Sequence, residues 1–412
     1  MQDFFMTAGS AQGKSFVDPV FSVLAAAKSA IKQYGQDQVI NASIGTIYDE
    51  EEKFVTLSSL DRLLQGLSAA DIMDYAPISG VAGFAEAVVS YTFGASKPES
   101  YVAAIATPGG TGAIRNVFFN YAEMGSRILV PDWFWGTYSL IANECGRQVD
   151  YYKLFNEDNT FNLASLEAKA RELLQSQAHL VVVINTPAHN PTGYSLTEQE
   201  WTAVLSVFRE LAKDAGKRIV VLIDVAYMDY AGDPAEARKF FRLFQGLPEN
   251  ILITVAFSMS KSFFAYGLRC GALIAVSSSR DVTDEFMAVN AYSTRANWSN
   301  VTRLPQELLV RIVNDQALSQ EIDALRGHYR ELLAQRAQIF VGEAQEAGLA
   351  ICPYHAGFFI SVPTGNAKQV CERLQQERIF VVPLKKGLRI AVCSVPTKKM
   401  PGLAASIKKA LD

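Results

Sequence analysis

A two-part α/β protein is predicted by three observations. Between about residues 50 and 290, apolar strands alternate with amphipathic helices, as in a mostly parallel sheet covered on both faces. After about residue 310 this alternation gives way to one long helical stretch and then shorter strands and helices, which reads as a smaller α+β unit. The chain has 412 residues, 49% of them apolar, and that length exceeds the range in which one core usually suffices.

Strands of the larger unit are expected at 126–131, 179–185, 218–224, 251–257 and 271–277. The run Thr107-Pro108-Gly109-Gly110-Thr111-Gly112 precedes a helical pattern through Val117, Phe118 and Tyr121. Behind the strand at 179–185, Thr197 and Glu200 have capping-box spacing, and Trp201, Val204, Leu205, Phe208 and Leu211 recur on one helical face. In the smaller unit a long helix is predicted through Leu318, Ile322, Leu325, Tyr329 and Leu332, then a strand at 357–362. A helix through Val370, Leu374 and Ile379 follows, then a strand around Arg389 and a terminal helix ending in Lys408-Lys409. The chain contains no internal repeat and no low-complexity linker.

Composition narrows the function. The formal charge is −4 and basic residues cluster only at Lys385-Lys386 and Lys398-Lys399, so no nucleic-acid-binding surface is expected. Five cysteines lack CxxC spacing, which suits a reducing compartment and predicts neither a metal site nor a disulfide framework. The segment 1–13 has no signal-peptide pattern, and no apolar run approaches the roughly 20 residues of a membrane span. A soluble, cytoplasmic protein without membrane contact is expected.

Four segments carry chemistry. Lys261, in Ser258-Met259-Ser260-Lys261, follows the apolar run from Ile251 to Phe257, and Arg269 lies eight residues further on. A lysine seen alone is most often a solvated surface residue. Here two hydroxyls and a guanidinium suit a phosphate dianion, while a neighbouring cation and partial desolvation lower the lysine pKa enough for Schiff-base chemistry. Asn190-Pro191-Thr192-Gly193 follows the strand at 179–185, at the carboxyl end where open α/β sheets bind ligands. In Asp224-Val225-Ala226-Tyr227, a carboxylate ends an apolar strand and needs a cation if it is buried; a protonated pyridine nitrogen would serve. The glycine run with Gly110 and Thr111 opens a helix whose backbone amides can bind phosphate.

In this order the segments resemble class I aminotransferases of pyridoxal-phosphate fold type I, particularly the aspartate and aromatic amino acid aminotransferase branch. The resemblance runs from Ile40-Asn41-Ala42-Ser43-Ile44-Gly45 to Gly387-Leu388-Arg389-Ile390-Ala391. It implies a seven-stranded, mostly parallel sheet in a large cofactor-binding domain over 50–310, with 1–49 and 311–412 forming the small domain. It implies pyridoxal 5′-phosphate as cofactor, bound to Lys261, with Asp224 on the pyridine nitrogen and Asn190 and Tyr227 on the ring phenolate oxygen. Gly110, Thr111, Ser258, Ser260 and Arg269 would hold the phosphate, and Trp133 would lie against the ring and the substrate. Gly45 and Asn190 would line the substrate site, and Arg389 would grip the α-carboxylate. Arg295 and Tyr75 would come from a second subunit, to the distal carboxylate and the cofactor phosphate, giving a homodimer with shared active sites. The implied reaction moves an amino group between an acidic or aromatic amino acid and a 2-oxo acid such as 2-oxoglutarate.

The chain departs from the family where specificity is set. Asn185 and Gly136, three residues after Trp133, stand where relatives often have histidine. Trp298 replaces a tyrosine, and Val301-Thr302 a pair of prolines. A lyase or synthase on the same fold is the alternative reading, since fold alone does not select the reaction. A non-enzymatic effector sensor is the other, although such regulators need an attached DNA-binding module and the resemblance to aminotransferases takes up the length of this chain.

Overall fold

A computed structural model describes residues 4–412; the first three residues of the 1–13 segment lie outside the described residues. Eleven strands form two sheets. They are β1 (Ile40–Ala42), β2 (Tyr101–Thr107), β3 (Arg127–Pro131), β4 (Gln148–Tyr152), β5 (His179–Asn185) and β6 (Arg218–Asp224), then β7 (Ile251–Ser258), β8 (Gly271–Ser277), β9 (Phe359–Pro363), β10 (Ile379–Leu384) and β11 (Gly387–Ala391).

The large sheet has the order β2-β8-β7-β6-β5-β3-β4. Pairing is parallel from β7 through β6, β5 and β3 to β4, and β8 runs antiparallel between β7 and β2. All five strands expected from the sequence are present. Every residue of β7 and β8 is buried, because helices cover both faces and the period-2 alternation of a half-exposed sheet is not required. Each large apolar side chain buried in this way contributes about 1.5–3 kcal/mol. One core, containing Trp201 and Phe208, fills one side of the sheet; a second, containing Phe118 and Tyr138, fills the other. Thr197 and Glu200 make the expected reciprocal cap of the helix Glu198–Leu211.

The small sheet has the order β1-β10-β11-β9, with β1 parallel to β10 and the other pairs antiparallel. Its core joins Ala42 and Ile47 to Phe359, Leu374 and Ile407. The helix Gln316–Glu346 connects the two parts: Ile322 packs in the large core, and Leu333, Ala337 and Phe340 in the small one. One sequence expectation is corrected here. The helix through Val370 and Leu374 ends at Gln376, and Ile379 begins β10. Arg378 adopts φ 64°, a left-handed turn that stops the helix, and the β-branched run after it then pairs with β1 and β11.

All five cysteines are buried and free. Among the described residues, no helix is long and apolar enough to cross a membrane.

Candidate active site

The carboxyl ends of β5, β6 and β7 open into a cavity of about 350 Å³ between the two parts. Sheet register accounts for much of its geometry. Asn185 lies opposite Asp224 across β5 and β6, so the loops that follow these strands emerge side by side.

Lys261 sits in the one-turn helix Met259–Ser262 directly after β7. Its Nζ donates to the Gly45 carbonyl at 2.7 Å and lies 4.5 Å from the Tyr266 ring centroid. Burial, reinforced by the Arg389 and Arg269 cations and opposed by Cys393, lowers the Lys261 pKa to about 8. A substantial neutral fraction, the nucleophilic form, is therefore present at physiological pH. Gly45 must be glycine, since a Cβ there would come within 2.6 Å of the Phe359 ring.

Asp224 is buried at the end of β6. Burial raises its pKa, and two donors oppose the rise: the Tyr138 hydroxyl at 2.6 Å from Oδ2 and the Ala226 amide at 3.1 Å from Oδ1. Asn185 holds the Asp224 carbonyl with its Nδ2 at 2.8 Å, while its Oδ1 accepts from the Asn190 amide at 2.6 Å. Asn185 thus ties the two strand ends together without touching the Asp224 carboxylate. Asn190 Nδ2 faces the Tyr227 hydroxyl at 3.4 Å, and the Tyr227 ring packs edge-on against Phe358 and Phe359. Burial raises the Tyr227 pKa, which keeps the phenol protonated and able to donate.

At the other end of the cavity, Gly110 and Thr111 form the first turn of the helix Gly109–Tyr121, beside Ser258, Ser260 and Arg269. The Arg269 guanidinium bonds Ser260 Oγ at 3.0 Å and would be 2.7 Å from a Cβ at Gly109. A helix amino terminus, two hydroxyls and a guanidinium together make an anion cradle. Arg389, on β11, is buried over the Phe359 ring. Its Nη2 donates to the Ser43 carbonyl at 2.9 Å, its Nη1 approaches Asn190 Oδ1 at 3.5 Å, and its Nε has no partner.

Three expected residues do not line this cavity. Trp133 is the first, and its assignment is corrected. It is buried in the large core, where Gly387 approaches its ring so closely that a Cβ would be 2.9 Å away, and the Lys386 amine lies over its indole. Trp135 lines the cavity instead. Lys386 pairs with Asp132 at the start of this loop, after which Trp133 packs inward and Trp135 faces the site. The tryptophan-plus-three spacing is kept, displaced by two residues: Tyr138, not Gly136, supports Asp224. The other two are Tyr75, which is 81% exposed, and Arg295, whose Nη1 bonds Ser299 Oγ at 2.6 Å on the surface. Sequence reading missed Trp135, Tyr138, Tyr266 and Phe359. Only Trp135 carried a usable signal, as the second tryptophan of the motif.

The residues present fit pyridoxal phosphate. Among the described residues Lys261, Asp224 and Arg389 make no ion pair, and each is an expensive charge to bury alone. An aldehyde for the amine, a protonated ring nitrogen for the carboxylate and a substrate carboxylate for the guanidinium would satisfy all three.

Residues 37–407 match the family described as Aminotransferase class I and II. The chain is 28% identical to an aspartate aminotransferase of Salmonella typhi over 75% of this chain and 77% of that one. It is 27% identical to an aromatic-amino-acid aminotransferase of Pseudomonas aeruginosa over 80% and 81%. Among solved structures, an aminotransferase from Anaerococcus prevotii superposes with a TM-score of 0.97 at 38% identity, covering 99% of this chain and all of that one. An aromatic-amino-acid aminotransferase from Burkholderia pseudomallei, covalently bound to pyridoxal phosphate, shares the fold at 22% identity and a TM-score of 0.79. The chain therefore belongs to the class I and II aminotransferases, and its activity is pyridoxal-phosphate-dependent transamination. The lyase, synthase and effector-sensor alternatives are not favoured.

Proposed function

We propose that this enzyme transfers the amino group between a dicarboxylic or aromatic amino acid and a 2-oxo acid such as 2-oxoglutarate, with Lys261 as the cofactor-bearing residue. The observation that carries this reading is the convergence on one cavity of Lys261, Asp224 and Arg389, none of which makes an ion pair among the described residues. The large part, over 50–310, contributes the cofactor side, and the small part, 1–49 with 311–412, brings Arg389.

Pyridoxal phosphate supplies an aldehyde that links to amines and a protonated ring that withdraws electrons from the substrate Cα. The chain's own residues do the rest. Gly110, Thr111, Ser258, Ser260 and Arg269 hold the phosphate dianion through amides, hydroxyls and a guanidinium. Asp224 holds the ring-nitrogen proton, Tyr227 and Asn190 donate to the ring oxygen, and Trp135 gives the aromatic wall. Arg389 binds the α-carboxylate with paired hydrogen bonds from one edge of its planar guanidinium, whose Nε has no partner among the described residues. The Lys261 amine would accept the proton from the substrate Cα at Nζ, a role its lowered pKa suits.

The acidic side of the specificity rests on Arg295, and the shared site on Arg295 and Tyr75 together. Both are exposed on one chain, as groups that complete a neighbour's site would be, and a cytoplasmic homodimer is the assembly we propose. Borohydride reduction followed by peptide mapping tests the central assignment. A reduced adduct on Lys261 is expected, and an adduct on any other lysine overturns it.

A further inference from the structure

Tyr138 lies outside the cavity lining yet reaches the Asp224 carboxylate. It is fully buried on the helix Thr137–Glu144, and its Oη donates to Asp224 Oδ2 at 2.6 Å across 86 residues of sequence. Resting on the proposed role of Asp224, we infer that Tyr138 is a positioning residue for transamination: its hydroxyl keeps Asp224 an oriented anion facing the cofactor's ring nitrogen.

The geometry supports more than the satisfaction of a buried hydroxyl. Tyr138 and the Ala226 amide each occupy one oxygen of the carboxylate, so both oxygens are directionally held and each retains a lone pair for a further donor. The phenol ring cannot swing away. The Trp135 ring meets it edge-on at 5.5 Å, with an interplanar angle of 84°, and Phe118 packs on it at 6.4 Å. Trp135 also lines the cavity, so one side chain braces the aromatic wall and aims the carboxylate.

In a buried ion pair between a carboxylate and a pyridinium, the proton can pass to the carboxylate and leave two neutral groups. A neutral ring withdraws electrons less strongly. A hydrogen bond donated to the carboxylate favours its charged form and so retains the proton on the ring. Burial and the adjacent Asp224 raise the Tyr138 pKa well above its ordinary value, so the hydroxyl donates at every working pH. The other titratable or charged groups that line this cavity are Asp18, Tyr227 and Tyr266, the last two with pKa values raised by burial, Lys261, lowered to about 8, and the Arg269 and Arg389 guanidiniums. His189 is buried nearby on the loop after β5 and held neutral by burial, with a pKa of about 3. The support of Asp224 therefore contains no group that titrates near neutrality, unlike an imidazole donor.

The test uses the cofactor-loaded enzyme and Tyr138→Phe, which keeps the ring packing and removes the hydroxyl. The half-reaction should slow by on the order of tenfold or more, the size of one lost charged hydrogen bond, with little change in KM. The pH at which the cofactor's visible absorbance titrates should rise, because a less protonated ring stabilises the protonated linkage to Lys261. In wild-type enzyme loaded with nitrogen-15 cofactor, the ring-nitrogen resonance should stay in its protonated position between about pH 6 and pH 9, the histidine range. This measurement needs no variant and holds even if Tyr138→Phe misfolds. Tyr138→His should introduce an inflection within that range that wild type lacks. Unchanged rates and absorbance titration in well-folded Tyr138→Phe, or a neutral ring nitrogen in wild type, would overturn the inference. If Asp224→Asn is impaired while Tyr138→Phe is not, only the Tyr138 role fails. If Asp224→Asn is also unimpaired, the proposed role of Asp224 fails with it.

Discussion

At the ends of β5, β6 and β7, Asn190, Asp224 and Lys261 are enclosed and hydrogen-bonded by their own chain, whereas Tyr75 is 81% exposed and Arg295, among the described residues, bonds Ser299 on the surface. The first region is set by strand register: once Asn185 stands opposite Asp224, the loops beyond them have little freedom. The second region has no such frame. Tyr75 and Arg295 are exposed, as are the apolar side chains of Met73 and Tyr292. The contrast separates a floor that one chain builds from a rim that, as proposed above, two chains build together.

The sharpest way to break this division is at the floor. Lys261→Ala should abolish the borohydride-reducible linkage and nearly all turnover, read by mass spectrometry and steady-state assay. Residual turnover near that of wild type would remove Lys261 from the centre of the site. Asp224→Asn should retain cofactor yet slow α-proton removal by several orders of magnitude, because an amide cannot hold the pyridine proton; single-turnover absorbance measures this. The rim should respond less and more selectively. Arg295→Leu should cost dicarboxylate substrates about 2 kcal/mol in kcat/KM, roughly thirtyfold, and leave phenylalanine and tyrosine half-reactions much less affected. Dicarboxylate rates unaltered by this change would leave Arg295, in the last turn of the helix Arg280–Trp298, outside the substrate site.

Mixing the two variants sharpens the comparison further. If the rim is donated by a partner, a hybrid of a Lys261→Ala chain and an Arg295→Leu chain contains one complete site. Co-refolded equal mixtures should then recover about a quarter of wild-type dicarboxylate activity. Recovery of almost none would place Arg295 in its own chain's site, and recovery of about half would place it outside any site. The smallest effect concerns pH. Because the folded-state pKa of Lys261 is lowered to about 8, the neutral amine grows as pH rises toward that value and is nearly complete above it. The rate at which cofactor-free enzyme captures pyridoxal phosphate should follow, rising through about pH 8 and then levelling. A rise continuing to the ordinary lysine pKa of 10.5 would show that burial has not lowered it.

Much of the floor was legible from the chain alone, because each of its motifs is local. Lys261 after an apolar run, Asp224 ending another and Asn190 in a proline-glycine turn all sit at strand ends, and hydrophobic patterning marks strand ends directly. The capping box at Thr197 and Glu200 was equally local. The helix expected to reach Ile379 went astray where a left-handed turn at Arg378 outweighed a continuing apolar pattern.

What the sequence by itself determined was therefore the set of strands, the residues that follow them and the family those residues resemble. Tertiary structure alone decided which of two tryptophans faces the cavity and what supports Asp224. Trp133 and Trp135 are separated by one residue in a loop without periodicity, so their directions depend on Lys386 and Gly387, some 250 residues away. Tyr138 meets Asp224 across 86 residues, a contact that exists only because the fold brings the helix after β3 beside the end of β6. Local patterning records how each segment buries its own apolar face; the aim of a side chain within a loop is set by whatever packs against it from elsewhere in the chain.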